Sequence, residues 1–131
     1  NETYNVDKIL STAKSFVSNY NKMFDNAESS SNSGVISNLA YIRERTKNNS
    51  KALEEFGISV DKKGRMKLDE DTFKKADMSK VQDFFKDYGS YVASNASRVD
   101  YYMNTNANAA NGYTSRASYN IPSISGFSET I

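Results

Sequence analysis

The side chains of this chain that could do chemistry include a group of carboxylates around Gly64 in mid-chain. They are Asp61, Asp69, Glu70 and Asp71. A calcium loop is one interpretation, but an EF-hand loop needs acidic side chains at alternate positions before its glycine. Here Lys62 and Lys63 precede Gly64. We therefore predict no metal site, and we expect residues 69–71 to cap a short helix, where carboxylates favour the helix dipole.

The chain has no cysteine and no histidine. Thiol nucleophiles, disulfides, thiolate zinc sites and histidine-based triads are therefore excluded, together with the commonest general base. Carboxylate or lysine chemistry would need a pocket that perturbs the pKa of those groups. With 37% hydrophobic residues, the chain has little core to spare for such a pocket. We expect a structural or interaction protein with no cofactor, not an enzyme.

The charge balance narrows the class of partner. Lys and Arg number 17 against 16 Asp and Glu, whereas a nucleic-acid-binding domain shows a basic excess on one face. We therefore expect no nucleic acid partner. No apolar run approaches the roughly 18 residues of a membrane span, and no signal peptide is visible. Asn1 stands where an initiator methionine would be, so we expect further sequence upstream.

Apolar residues recur in steps of four and three along the first 27 residues, which is the spacing of a heptad seam on a helix. The seam residues are Val6, Leu10, Ala13, Val17, Tyr20, Phe24 and Ala27. The pattern predicts a helix near 3–27. Ile9, Phe16 and Met23 widen the stripe on one side. They predict either a partner interface or a wide core within the chain, and we weigh the two evenly.

A serine-rich loop at 28–34 precedes a second seam, which predicts an antiparallel helix from Val35 to Phe56. We expect Ser33 to cap its start and Gly57 to end it. Thr46 and Asn49 interrupt the seam. We expect them to set the register of helix pairing or to lie on an exposed section.

The apolar period then changes from seven to two. Ile58, Val60, Met66 and Leu68 alternate with polar residues around a turn at 61–64, which predicts a β-hairpin at about 58–69. A short helix over 72–76 follows. The longest seam predicts a third long helix of about 30 residues from Ser79, with a fray or bend at Gly89.

The predicted fold is mainly α: an antiparallel, coiled-coil-like bundle of three long helices, with a small β-hairpin and a short helix between the second and third. We assign residues 1–111 to this bundle. Residues 112–131 form an irregular Asn/Ser/Tyr-rich tail, whose spacing predicts no element of its own. Three aromatic residues of the tail are further candidates for a partner interface: Tyr113, Tyr119 and Phe127.

Three segments together resemble the C-terminal region of the flagellar filament cap protein family, also called hook-associated protein 2. They are FVSNYNK at 16–22, LEEFGISVDKKGRMKLDEDTFKKA at 53–76, and VQDFF at 81–85. The resemblance spans residues 6 to about 103. This chain does not contain the family's N-terminal helix and β-rich insertion domains. The Asn/Tyr/Ser-rich tail of this chain also differs from the family's usual ending.

The resemblance implies a non-enzymatic axial protein with a self-associating coiled-coil stalk. It further implies an extracellular or cell-surface location reached through the flagellar export channel, without a cleaved signal peptide. The implied partners are other copies of the chain, its own missing N-terminal helix, and flagellar axial proteins. The alternative hypothesis is a secreted or surface adhesion module that binds a protein or glycan through its aromatic tail.

Overall fold

The structure is a computed structural model that describes residues 4–111, with side chains as far as Asn104. Five helices and one antiparallel pair of strands lie within this range. In chain order they are α1 (Val6–Ala27), α2 (Ser33–Asn48), α3 (Ser50–Glu55), β1 (Ile58–Val60), β2 (Met66–Leu68), α4 (Glu70–Lys75) and α5 (Met78–Asn111).

The mainly helical prediction is confirmed, but the prediction of three long helices is wrong at the second one. That segment is two helices, α2 and α3, divided at Asn49. Asn49 leaves helical geometry with φ −106° and ψ 13°, and its N–H donates to the carbonyls of Arg45 and Thr46. Consecutive asparagines favour such an end because their side chains compete for backbone hydrogen bonds.

Asparagine and aspartate caps set where the helices begin. The Oδ1 atom of Asn5 accepts from the N–H of Lys8 at 3.1 Å, so α1 begins at Val6 instead of at residue 3. Asn32, not the predicted Ser33, caps α2. Asp69 caps α4 by accepting from two backbone N–H groups, which confirms a capping role for the acidic segment.

The predicted hairpin is confirmed. Ile58 pairs with Leu68, and Val60 with Met66. Gly64 has φ +81° in the turn, a left-handed conformation that favours glycine. The side-chain amide of Asn21 on α1 then continues the ladder: it donates to the carbonyl of Met66 at 2.9 Å and accepts from its N–H at 2.8 Å. The edge of the hairpin is thereby fixed to α1.

The core lies between α1, α2 and α5 and is rich in aromatic rings. Phe16 of α1 meets the rings of Phe85 and Tyr88 on α5 at centroid distances of 5.3 and 5.9 Å. The latter two are buried on the seam of α5. This helix is continuous through Gly89, where we expected a fray or bend. Burial of this apolar surface is the main stabilising contribution.

A chain of hydroxyl groups crosses this apolar core. The Tyr20 hydroxyl donates to Thr46 Oγ1 at 3.0 Å, and Thr46 Oγ1 lies 2.7 Å from the Tyr88 hydroxyl. The three residues come from α1, α2 and α5, and all are buried. Thr46 therefore has the pairing role that we considered for it, because one hydroxyl sets the relative position of three helices.

The start of α2 packs tightly on α5 through a glycine. A Cβ atom added at Gly34 would lie 2.6 Å from the Cγ and Cδ2 atoms of the Tyr102 ring. The ring therefore rests directly on the backbone of α2. Only a residue without a side chain allows this approach.

We expect Gly34→Ala to lower the free energy of unfolding by about 1–3 kcal/mol, because the new methyl group overpacks against Tyr102. Urea denaturation measures the loss. In a Tyr102→Ala background the same substitution should cost much less, since alanine is the better helix former. Equal losses in both backgrounds would contradict the proposed contact.

We expect Thr46→Val to destabilise the chain by about 2–4 kcal/mol, because it keeps the side-chain shape but leaves two buried tyrosine hydroxyls without their partner. Thr46→Ser retains the hydroxyl and should recover most of that loss in the same urea experiment. A valine variant as stable as the wild type would show that the hydroxyl chain contributes nothing.

Burial raises the pKa of Tyr20 and of Tyr88 above the ordinary value of 10.0. The unfolded chain then loses these protons at lower pH than the folded chain. The stability that comes from keeping these hydroxyls protonated is fully present below pH 10. As the pH rises above 10, the free energy of unfolding falls by up to about 1.4 kcal/mol per pH unit for each tyrosine. Tyr88→Phe should therefore show a shallower alkaline decline of unfolding free energy than wild type; parallel declines would refute this.

Candidate interaction surface

The three predicted interface residues of α1 lie inside the chain. Ile9, Phe16 and Met23 are each 0% exposed. They are buried because α1 packs against three elements, β2, α4 and α5. A helix that is covered on two sides buries a wide stripe of side chains. They fill a wide core, so a partner could reach them only if the bundle opened. The other three candidates, Tyr113, Tyr119 and Phe127, lie outside the described residues.

A second stripe runs along α5 beside its buried seam. Asp87, Tyr91, Ser94, Arg98 and Tyr101 follow one another in steps of four and three. Side chains at this spacing share one helix face. None of these five is fully buried, and Tyr101 is 60% exposed. This stripe therefore faces away from the core.

Residues of α2 complete the same surface. Tyr41, 54% exposed, lines a shallow groove between α2 and α5 together with Tyr91 and Arg98. We define the tyrosine face as Tyr41, Tyr91, Arg98 and Tyr101. Large exposed rings next to a guanidinium are the residue types that protein interfaces favour.

Arg45 of α2 holds one edge of this face. Its Nη2 atom lies 2.8 Å from Asp87 Oδ2, and its guanidinium carbon lies 4.7 Å from the centre of the Tyr91 ring. A pair this exposed adds little to stability. The structural effect of the Arg45 guanidinium is to orient the Tyr91 ring along the groove.

A family model for the C-terminus of flagellar hook-associated protein 2 matches residues 32–125 of the chain, which is more than two thirds of its length. The chain belongs to this family. The matched part of this hook-associated protein 2 C-terminal region begins at the cap of α2 and contains α2 to α5. It therefore includes the whole tyrosine face, whereas α1 precedes it. Searches among curated proteins and among solved structures gave no match.

Two further observations concern other kinds of site. Within residues 4–111 no helix combines the length and apolar character needed to cross a bilayer. Acidic side chains of the described residues form no group of three or more that could hold a metal ion. Asp61 instead accepts hydrogen bonds from the backbone N–H groups of Lys63 and Arg65. The bond from the Arg65 N–H lowers the pKa of the Asp61 carboxyl below its ordinary value.

The tyrosine face was not predicted from the sequence, because a single apolar seam was assigned to each helical segment. A second heptad reading of α5, offset from the first, would have found Tyr91 and Tyr101. Tyr41 carries no such signal, since its place beside α5 follows from the packing of α2.

Proposed function

We propose that this chain is a non-enzymatic structural module of a flagellar cap-type axial protein and that it assembles with other copies of itself. The observation that carries the proposal is the family match over residues 32–125. An extracellular location on the flagellum, export without a cleaved signal peptide, and contacts with its own N-terminal helix and with other axial proteins belong to the same proposal.

The tyrosine face is the surface we assign to self-association. The predicted seam residues of α1 are already used by the chain's own core. The large apolar side chains that remain exposed among the described residues are Ile36, Tyr41 and Tyr101, and two of these belong to the face. Tyrosine and arginine are enriched where interfaces bind most strongly.

The charges of the face favour a second copy as its occupant. Lys86 and Arg98 line the groove together with Asp87, so both signs of charge are present on one surface. In a two-fold symmetric dimer the same surface of both copies meets itself, so that a residue of one copy contacts a different residue of the other, and the reverse contact also forms. A copy related in this way would bring Arg98 of each chain near Asp87 of the other, whose carboxylate also holds Arg45 of its own chain.

We expect Tyr41→Ser/Tyr101→Ser to weaken self-association of the 131-residue chain at least about tenfold, because hot-spot aromatic residues each contribute on the order of 1 kcal/mol or more. Size-exclusion chromatography with light scattering, over a range of concentrations, measures the change. Circular dichroism should show unchanged helix content.

Ile36→Ser is the matched control, because Ile36 is 51% exposed on α2 but lies outside the tyrosine face. It should leave association nearly unchanged. A wild-type chain that stays monomeric at every concentration would refute the proposal. Loss of association on deleting residues 112–131, with no effect of the tyrosine substitutions, would assign the contact to the tail instead.

A further inference from the structure

A second cleft lies on the opposite side of α2, between the end of that helix and the turn of the hairpin. Its volume is about 380 Å³, and Tyr20 and Thr46 line it together with residues 60–64. Two elements distant in sequence therefore enclose it. Nothing in the family match or in the proposed self-association uses this cleft.

Four of the residues that line the cleft are cations. Arg43 and Lys47 come from α2, and Lys62 and Lys63 from the hairpin turn. Asp61 is the acidic residue of the lining. Its Oδ1 atom already accepts two backbone N–H groups, at 2.8 and 2.9 Å. That carboxylate is engaged in holding the turn.

Two acidic residues near the cleft pair with arginines. Arg65 forms ion pairs with both Asp25 and Glu28, at 2.8 and 2.7 Å, and Glu28 also lies 3.6 Å from Arg43 of the cleft. Among the side chains that the structure describes, Lys47, Lys62 and Lys63 form no ion pair. These three lysines therefore line the cleft without an ion pair of their own, and together with Arg43 they outnumber its carboxylate, Asp61.

The geometry points to a binding site for a phosphate group, either free inorganic phosphate or a phosphate ester. Ammonium groups donate hydrogen bonds and accept none, which suits an anion with several oxygens. A phosphate group is small enough to lie within the cleft, whereas an extended acidic peptide would need a longer groove.

The test is a titration of the ¹⁵N-labelled chain with inorganic phosphate at constant ionic strength, followed by backbone amide shifts. We expect saturable shifts confined to residues 46–50 and 60–64. A parallel titration with glycerol 3-phosphate distinguishes the two sources, because tighter binding of the ester indicates an organic phosphate. Acetate, a monoanion, should bind more weakly than either.

Lys47→Gln/Lys63→Gln should weaken phosphate binding about fivefold or more, as expected for the loss of two partly exposed charge contacts. Lys74→Gln/Lys75→Gln removes the same charge from the exposed end of α4, outside the cleft, and should change affinity by less than about twofold. All four lysines are exposed, so both variants should fold. Equal weakening by the two variants, shifts spread over all lysines, or no saturation would overturn the assignment.

Discussion

The hydroxyl of Thr46 is the contact on which the arrangement of the long helices depends. Apolar burial drives their association but is non-directional, so many sliding registers would bury similar areas. A buried tyrosine hydroxyl needs a partner, however. Thr46 serves Tyr20 from α1 and Tyr88 from α5 at once. Few registers bring all three together, and Gly34 adds a second restriction by admitting the Tyr102 ring at the far end of the same helix pair.

The hairpin is secured by a different set of contacts, and these create the cationic cleft. The Asn21 amide pairs with the backbone of Met66, while Arg65 forms ion pairs with Asp25 and Glu28 at the end of α1. These contacts bring the hairpin turn alongside α2. They also engage Asp25 and Glu28, so that neither carboxylate pairs with the lysines of the turn or of α2.

One helix, α5, serves two surfaces because its sequence carries two parallel stripes. The buried stripe completes the core with α1 and α2. The offset stripe is not covered by the core: Tyr91 lines a groove with Tyr41, and Tyr101 is exposed further along α5. In a protein of the flagellar hook-associated protein 2 family, this division lets the same element stabilise the fold and expose the face that we propose for self-association. Self-association through that surface would leave the core packing unchanged.

The sequence by itself determined the local elements and the family. Apolar periods of seven and two predicted the helical segments and the hairpin, and the motifs between residues 16 and 85 carried the family resemblance. Only the tertiary structure decided that Ile9, Phe16 and Met23 belong to the core and that distant lysines line one cleft. Periodicity reports spacing within one element, whereas the covering of a face depends on residues far along the chain.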